Sequence, residues 1–186
     1  MKLNDLKSRA DIGLVLREMG LNGIGAEIGV AFGGNAEFIL QHSHLSRLLL
    51  VDPWAYVNGQ NPVGYRDEIK NWNECFQYCT SRLKRFGDRA EFMRMSSADA
   101  CNTIADESLD FVYIDANHMS PYINDDIARW YPKVRVGGII GGHDYYALDT
   151  PEYQCDVKTA VNNFFTTDQI HLLPEVDSSW YVIKRD

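Results

Sequence analysis

The segment that decides the fold of this chain is Ala26-Glu27-Ile28-Gly29-Val30-Ala31-Phe32-Gly33-Gly34-Asn35. Its apolar first half predicts a short buried strand, and its glycines predict a tight turn that leads into a helix. Because glycine has no Cβ atom, a ligand can approach the backbone of such a turn, and the following helix N-terminus offers free N–H donors. A turn that only packs the strand against the helix would explain the same glycines.

The rest of the chain continues this alternation of short β-branched runs and longer amphipathic stretches. Strands are predicted at 26–30, 48–51, 91–95, 109–114 and 136–140, with helices between them. Two more strands, at 170–173 and 180–184, follow each other without a helix, so we expect them to pair antiparallel. The pattern predicts one α/β domain over residues 1–186: an N-terminal helix within 1–22, and a core over 23–186 with a mostly parallel seven-stranded sheet and helices on both faces.

Composition and charge argue against several classes of protein. The chain has 186 residues and 45% hydrophobic residues, which is typical of one globular domain. Its net charge of −8 argues against a nucleic-acid partner, and it has no apolar run of membrane-spanning length. Residues 1–7 turn polar early, so we do not expect them to act as a signal peptide. The four cysteines lack a CxxC pair, which favours reduced thiols. We therefore expect a cytoplasmic protein without a membrane partner, and a homo-oligomer stays open.

Polar side chains stand where the predicted strands end; they are Asp52, Ser96, Asp115, His143 and Asp144. Because the carboxyl ends of parallel strands share one edge of a sheet, these side chains are expected to converge on one ligand site. Glu27, two residues before the first glycine, would add a carboxylate that suits an ammonium or sulfonium better than a pyrophosphate. The spacing after Gly29 also departs from the GxGxxG pattern of dinucleotide-binding turns.

Two of these strand ends allow a more specific interpretation. An acidic residue at the position of Asp52 can accept hydrogen bonds from the two hydroxyls of an adenosine ribose. Ser96 and Ser97 follow the third strand, where the edge of an adenine would lie. The same serines could instead cap the helix that follows them.

These residues resemble the class I S-adenosylmethionine-dependent methyltransferases. Glu27-x-Gly29 with Gly33-Gly34 is similar to their first motif, Asp52 to their ribose-binding acid, and the C-terminal strand pair to theirs. A narrower resemblance, to small-molecule O-methyltransferases related to cephalosporin-hydroxylase-like and macrocin-type enzymes, rests on three segments: Asp115-Ala116-Asn117-His118, Gly142-His143-Asp144-Tyr145 and Val157-Lys158-Thr159-Ala160-Val161. The resemblance spans roughly residues 24–184 and implies a Rossmann-like methyltransferase domain that uses S-adenosylmethionine.

The resemblance implies a set of site residues. It assigns cofactor binding to Glu27, Gly29, Gly33, Asp52, Ser96, Ser97 and Asp115. Methyl transfer needs a deprotonated acceptor hydroxyl, which a base or a cation can supply. His118, three residues after Asp115, is the candidate base, and both residues are assigned to catalysis. Asp115, His143 and Asp144 could hold Mg²⁺ or another divalent cation, although a site made of hydrogen bonds without metal stays open.

The predicted function is transfer of a methyl group to a hydroxyl of a small metabolite, such as a sugar or a natural product. Ala116-Asn117 stands where many relatives have Gly-Asp, so a second carboxylate that could act as base is absent. This departure leaves open a protein of the same fold that binds S-adenosylmethionine without transferring its methyl group. A third hypothesis, a nicotinamide-dependent oxidoreductase, is opposed by the spacing of the glycine turn.

Overall fold

The computed structural model describes residues 3–55, 71–147 and 154–186. The strands are β1 Ile24–Ile28, β2 Arg47–Val51, β3 Ala90–Met93, β4 Leu109–Ile114, β5 Val134–Gly142, β6 His171–Leu172 and β7 Trp180–Ile183. The α-helices are α1 Ile12–Glu18, α2 Gly34–His42, α3 Trp72–Leu83, α4 Ser97–Asn102, α5 Tyr122–Trp130 and α6 Val157–Phe164. The predicted alternation of strands and helices is confirmed.

All the strands belong to one seven-stranded sheet in the order β3-β2-β1-β4-β5-β7-β6. The pairs from β3 to β5 are parallel, and β7 pairs antiparallel with both β5 and β6. The predicted fold class is therefore confirmed, including the C-terminal antiparallel pair. β1 lies beside both β2 and β4, so the glycine turn that follows β1 sits between the ends of two other strands.

Two apolar layers cover the two faces of the sheet. One layer buries side chains of α1, α2 and α3 against alternate positions of the central strands. The other layer buries side chains of α4, α5 and α6 against the remaining positions. The central strands therefore need apolar residues on both faces, which is why Leu48–Val51 and Phe111–Ile114 are continuous apolar runs in the sequence.

The N-terminal segment differs from the single helix expected within residues 1–22. Two short 3₁₀ turns, Leu3–Asp5 and Arg9–Asp11, precede α1. Ser8 interrupts the helix because its backbone is extended (φ −145°, ψ 148°) and its side chain accepts a hydrogen bond from the N–H of Ala10. The segment is packed against the core through the buried side chains of Leu3 and Leu6.

Several strand ends also differ from the prediction; β3, for example, ends at Met93 rather than at residue 95. β1 ends at Ile28 rather than at residue 30 because Gly29 has a positive φ of 86°, outside the range of a strand. β5 is longer than expected and runs to Gly142, so its polar successors His143 and Asp144 follow the strand directly.

The location of the protein in the cell stays a prediction. All four cysteines lie among the described residues, and each is a free thiol. Within residues 3–55, 71–147 and 154–186, no helix has the length and apolarity that a membrane crossing requires.

Candidate active site at the carboxyl edge of the sheet

Backbone hydrogen bonds bring the ends of four neighbouring strands into line. The N–H of Gly29 donates to Val51 O (2.9 Å), that of Asp52 to Met93 O (3.3 Å), that of Asp115 to Ile28 O (2.8 Å) and that of His143 to Ile114 O (3.1 Å). Each bond extends the parallel ladder by one residue beyond the strand. The residues that follow β1, β2, β4 and β5 therefore form one edge, as the sequence predicts.

Glu27 lies within β1, two residues before Gly29, and is almost fully buried. Its Oε1 accepts a hydrogen bond from Asn35 Nδ2 (3.0 Å), whereas Oε2 has no partner among the described residues. Burial raises the pKa of Glu27 to about 8, the hydrogen bond from Asn35 opposes that rise, and the negative charge of Asp115 adds to it. Asn35, whose Oδ1 is also buried without a partner there, is a site residue that the sequence analysis did not identify.

Asp52 holds the glycine turn from the end of β2. Its Oδ2 accepts the N–H groups of Val30 and Ala31 (both 3.0 Å), and its Oδ1 accepts the N–H of Trp54 (2.6 Å). Burial raises the pKa of this carboxyl, and the three backbone hydrogen bonds act against that rise. A carboxylate has about four lone-pair sites, so roughly one remains for a ligand hydroxyl rather than two. Ribose binding by Asp52 stays a prediction.

The glycines of the turn are explained first by packing within the protein. A Cβ atom on Gly29 would overlap with the carbonyl oxygen of Asp115 at the end of β4. A Cβ atom on Gly33 would lie 2.8 Å from Cys79 Sγ on α3, and φ of Gly33 is 75°. The missing Cβ atoms were expected to make room for a ligand. Asp115 after β4 and Cys79 of α3 occupy that space instead. Cofactor binding by the backbone of Gly29 and Gly33 stays a prediction.

Three side chains form a compact polar cluster at the ends of β4 and β5. Donor atoms of Asp115, His118 and Asp144 all lie within 4.8 Å of one another. Nε2 of His118 is 3.1 Å from Asp144 Oδ2 and 3.5 Å from Asp115 Oδ1. A loop contact supports this position, because the carbonyl of His118 accepts the N–H of Asp156 (2.8 Å). Two carboxylates and an imidazole are a suitable donor set for a divalent cation.

His143 stands beside this cluster and contacts one of its members. Its Nδ1 is 3.2 Å from Asp144 Oδ2. Burial by itself lowers the pKa of His143, but the hydrogen bond to Asp144 and the charges of Asp115 and Asp144 raise it above its usual value. For Asp144, burial acts upward, but the hydrogen bond from His143 and the nearby His118 lower its pKa. The metal ligands predicted from the sequence are Asp115, His143 and Asp144. A close alternative set has His118 in place of His143.

Arg9 reaches the same edge from the N-terminal segment and was not identified from sequence. Its Nη1 is 3.4 Å from Asp115 Oδ2, and its backbone N–H donates to Asp177 Oδ2 (2.7 Å). Although burial lowers the pKa of Arg9, its interactions with Tyr113, Asp115 and Asp177 raise it above the usual value. A permanent positive charge therefore lies next to the polar cluster. No local pattern around Arg9 marks it, since Ser8-Arg9-Ala10 resembles an ordinary exposed helix start.

The two serines after β3 are both engaged within the protein. Ser96 is the N-cap of α4 and accepts the N–H of Asp99 (3.1 Å), as the capping alternative predicts. Ser97 donates to Asp126 on α5 and accepts the indole N–H of Trp130 (2.9 Å). Burial raises the pKa of Asp126 to about 6, which the hydrogen bond from Ser97 opposes. Contact of either serine with an adenine stays a prediction.

The sequence also predicts that Trp54, Tyr56, Tyr65, Tyr145 and Tyr146 cluster near the mouth of the site, where they would form an acceptor pocket or serve in ordinary packing. Trp54 serves in packing. It is fully buried, packs against Phe76 and Phe92, and donates from Nε1 to the carbonyl of Ala31 (2.9 Å). It therefore braces the glycine turn from the core instead of lining a pocket. Tyr145 is also buried, with Tyr146 half-buried against it. The expectations for Tyr56 and Tyr65 lie outside the described residues.

Comparison with known proteins identifies the family. Residues 26–145, more than half of the chain, match the family model described as a methyltransferase domain. The chain belongs to this methyltransferase family. The match begins two residues into β1 and ends just after β5, so it contains the glycine turn and the polar cluster of the methyltransferase. No curated protein matches its sequence.

Solved structures of other methyltransferases share its fold. An O-methyltransferase from Bacillus cereus in complex with SAH (S-adenosylhomocysteine) aligns with a TM-score of 0.62 and 15% identity over 95% of this chain and 80% of that chain. An SAH-bound methyltransferase from Podospora anserina has a TM-score of 0.67 and 14% identity (96% and 78%). The calicheamicin methyltransferase CalS11 has a TM-score of 0.63 and 16% identity (95% and 77%). The resemblance to class I methyltransferases noted from the sequence is confirmed.

Proposed function

We propose that this methyltransferase moves the methyl group of S-adenosylmethionine to a hydroxyl group of a small metabolite, with the help of a divalent cation. The observation that carries the proposal is the meeting of Asp115, His118 and Asp144, whose donor atoms lie within 4.8 Å of one another at the edge that also contains Glu27 and the glycine turn. This arrangement puts groups able to bind a cofactor beside groups able to activate a hydroxyl.

The cofactor part of the proposal rests on the buried acceptors around Glu27. Glu27 Oε2 and Asn35 Oδ1 are buried and have no hydrogen-bond partner among the described residues. Unpaired buried polar atoms are costly, and these two fit a ligand that brings N–H donors, such as the ammonium group of S-adenosylmethionine, whose positive charge would favour the ionised form of Glu27. The remaining lone pair of Asp52 would accept a ribose hydroxyl. The SAH found in the Bacillus and Podospora structures supports this assignment.

The activation part rests on the polar cluster. Asp115, His118 and Asp144 would hold the cation, and this mixed oxygen and nitrogen set suits Mn²⁺, Fe²⁺ or Zn²⁺ as well as Mg²⁺. A bound divalent cation supplies a lower pKa for a hydroxyl that it contacts. If Asp115 and Asp144 hold the cation without His118, the imidazole, whose Nε2 lies 3.1 Å from Asp144 Oδ2 and 3.5 Å from Asp115 Oδ1, would instead accept the hydroxyl proton.

The acceptor proposed is a small hydroxylated molecule such as a sugar or a natural product, which the similarity to the calicheamicin methyltransferase CalS11 supports. The net charge of −8 is unfavourable for a nucleic-acid acceptor. Among the described residues, Arg9 is the only arginine or lysine that forms an ion pair with Asp115 or Asp144. A single arginine is not the row of basic side chains that a nucleic acid would need. We propose that the reaction takes place in the cytoplasm.

Calorimetry with S-adenosylhomocysteine, with and without MnCl₂, tests the proposal directly. We expect saturable binding of the cofactor product, and transfer of labelled methyl groups from S-adenosylmethionine to members of a panel of sugars and phenols. Absence of binding at millimolar ligand, with the protein folded by circular dichroism, would overturn the cofactor assignment. A parallel titration with NADH is expected to give no change in fluorescence, which separates the methyltransferase from an oxidoreductase.

A protein that binds the cofactor without transferring its methyl group is the second candidate. Asn117, which stands where many relatives have an acid, accepts the N–H of Met119 through Oδ1 (3.0 Å), so its side chain is engaged in shaping the loop. Binding without turnover on the whole panel, with and without divalent metal, would favour this candidate.

A further inference from the structure

Arg9 is held at the site by contacts that fix the position of its backbone. The 3₁₀ turn Arg9–Asp11 is capped by Ser8, and the backbone N–H of Arg9 donates to Asp177 (2.7 Å). Leu6 before the turn and Ile12 after it are buried in the core. The guanidinium therefore extends from a fixed point, which reduces the entropy that would be lost when it binds a ligand.

The guanidinium interacts with Tyr113 and Asp115, and part of it is open to solvent. Its contact with Asp115 Oδ2 is long, at 3.4 Å, and 35% of the side chain is exposed. An arginine has five N–H donors in a planar fork, so donors remain for a ligand that enters from solvent. The charge of Arg9 also acts, as a small contribution, on the pKa of Glu27, His143 and Asp144.

Arg9 lies outside the part of the chain that matches the family model. The family match covers residues 26–145, and Arg9 lies before it. Asp115, the residue that Arg9 contacts, is shared between the proposed cofactor and cation sites. A group bound to Arg9 would therefore lie next to the hydroxyl that receives the methyl group, which is where acceptor specificity is decided.

We propose that Arg9 is a specificity-determining residue that binds an anionic group, a carboxylate or a phosphate, on the methyl acceptor. The inference rests on the proposed methyltransferase function, and it narrows the acceptor to small hydroxylated acids or phosphates. A guanidinium forms paired, charge-assisted hydrogen bonds with either group. The long bond to Asp115 would be exchanged for the shorter bonds to the ligand, while Asp115 turns to the cation and the hydroxyl.

Matched ligand pairs test the inference. Binding of 3,4-dihydroxybenzoate against catechol, and of glucose 6-phosphate against methyl glucoside, is measured by calorimetry in the presence of S-adenosylhomocysteine and MnCl₂. Wild-type protein is expected to bind the acid or the phosphate about tenfold or more tightly than its neutral partner. Preference for the carboxylate pair alone or for the phosphate pair alone identifies which anion the site accepts. Equal affinity within both pairs, or no binding of any of the four, overturns the inference.

Variants separate a ligand contact from a structural tether. Arg9→Gln is expected to remove the preference within the pair, and Arg9→Lys to keep part of it, with S-adenosylhomocysteine binding unchanged in both. Arg17→Gln is the matched control, since Arg17 is an exposed arginine on α1 whose nearest carboxylate, Glu18, is 3.9 Å away. If Arg9→Gln weakens the acid and its neutral partner equally, Arg9 is a tether only.

The two levels of the proposal fail in different ways. Loss of S-adenosylhomocysteine binding in wild-type protein would count against the methyltransferase site itself. Intact S-adenosylhomocysteine binding combined with no anion preference would count against Arg9 alone. The melting temperatures of all four proteins report on folding independently of either ligand.

Discussion

Asn35 Nδ2 donates a hydrogen bond of 3.0 Å to Glu27 Oε1, while the second oxygen of the same carboxyl is buried without a partner among the described residues. One residue lies on β1 and the other in the first turn of α2, so the glycine turn between them sets their distance. The pair leaves Glu27 Oε2 buried and unpaired at the site proposed for an ammonium group. A half-satisfied buried carboxyl of this kind is sensitive to pH and to ligand.

The pKa of Glu27 predicts a pH dependence of stability. Burial raises this pKa from its usual 4.5 to about 8, so the folded protein retains a proton that the unfolded chain releases. The stabilisation of the folded state by this protonated carboxyl is fully present below pH 4.5 and is lost as the pH rises through about 8. As the pH rises from roughly 5 to 8, the free energy of unfolding of wild-type protein is expected to decrease. The decrease in Glu27→Gln is expected to be about 1–3 kcal/mol smaller, because glutamine does not titrate.

Urea unfolding at several pH values measures this difference. Glu175→Gln, which changes an exposed glutamate, is the control and is expected to follow the wild-type curve. Parallel curves for wild type and Glu27→Gln would show that Glu27 is ionised in both states.

The three backbone hydrogen bonds to Asp52 predict a structural cost for its amide variant. In Asp52→Asn an NH₂ group replaces one oxygen and faces backbone N–H donors of Val30, Ala31 or Trp54. We expect a loss of about 1–3 kcal/mol of stability and weaker binding of S-adenosylhomocysteine. Thermal unfolding and calorimetry measure the two effects. Asp88→Asn, at an exposed position, should change neither, and unchanged cofactor affinity in a destabilised Asp52→Asn would restrict Asp52 to holding the turn.

Two glycines with similar backbone angles separate strain from steric overlap. Gly29 and Gly20 have φ of 86° and 70°, but a Cβ on Gly29 would overlap with Asp115, whereas a Cβ on Gly20 has no atom within 4 Å. Gly20→Ala is expected to cost about 1 kcal/mol from its backbone conformation alone. Gly29→Ala should cost about 3 kcal/mol or more, because β1 and β4 must also move apart. Equal costs in chemical denaturation would mean that the strand ends adjust freely.

The two histidines near Asp144 predict different effects on metal binding. Nε2 of His118 lies within reach of both Asp144 and Asp115, whereas Nδ1 of His143 contacts Asp144. We expect His118→Ala to weaken Mn²⁺ binding by about tenfold or more, and His143→Ala to weaken it less, as an outer hydrogen-bond partner does. Mn²⁺ titration followed by electron paramagnetic resonance measures both. A larger loss in His143→Ala would restore the set Asp115, His143 and Asp144 expected from the sequence.

Asp144 itself provides a test that separates the cation from the cofactor. Asp144→Ala is expected to lose Mn²⁺ binding and methyl transfer while its affinity for S-adenosylhomocysteine changes by less than about threefold, because the carboxylate belongs to the cluster and not to the Glu27 pair. Asp125→Ala, an exposed acid on α5, is the control for the loss of one negative charge. Full methyl transfer by Asp144→Ala would remove the cation from the proposed mechanism.

Much of the fold follows from local patterns that a single sequence displays. Continuous apolar runs predict strands covered on both faces, and two adjacent strands without a helix predict the antiparallel pair of β6 and β7. The polar residues after β2, β4 and β5 are predictable as one edge because parallel strands point the same way. The N-terminal segment was mispredicted as one helix because Ser8 redirects the chain through a side-chain hydrogen bond that helical periodicity does not reveal.

The sequence by itself determined the sheet and the edge at which Glu27, Asp52, Asp115 and Asp144 assemble, because these depend on periodicity and strand direction, and its motifs indicated the family by resemblance. Only the tertiary structure decided that His118 meets Asp115 and Asp144, and that Arg9 reaches Asp115 across 106 positions of sequence. Such contacts depend on how loops and the N-terminal segment pack over the sheet. Their energies come from side chains that are distant in the chain, so no local pattern records them.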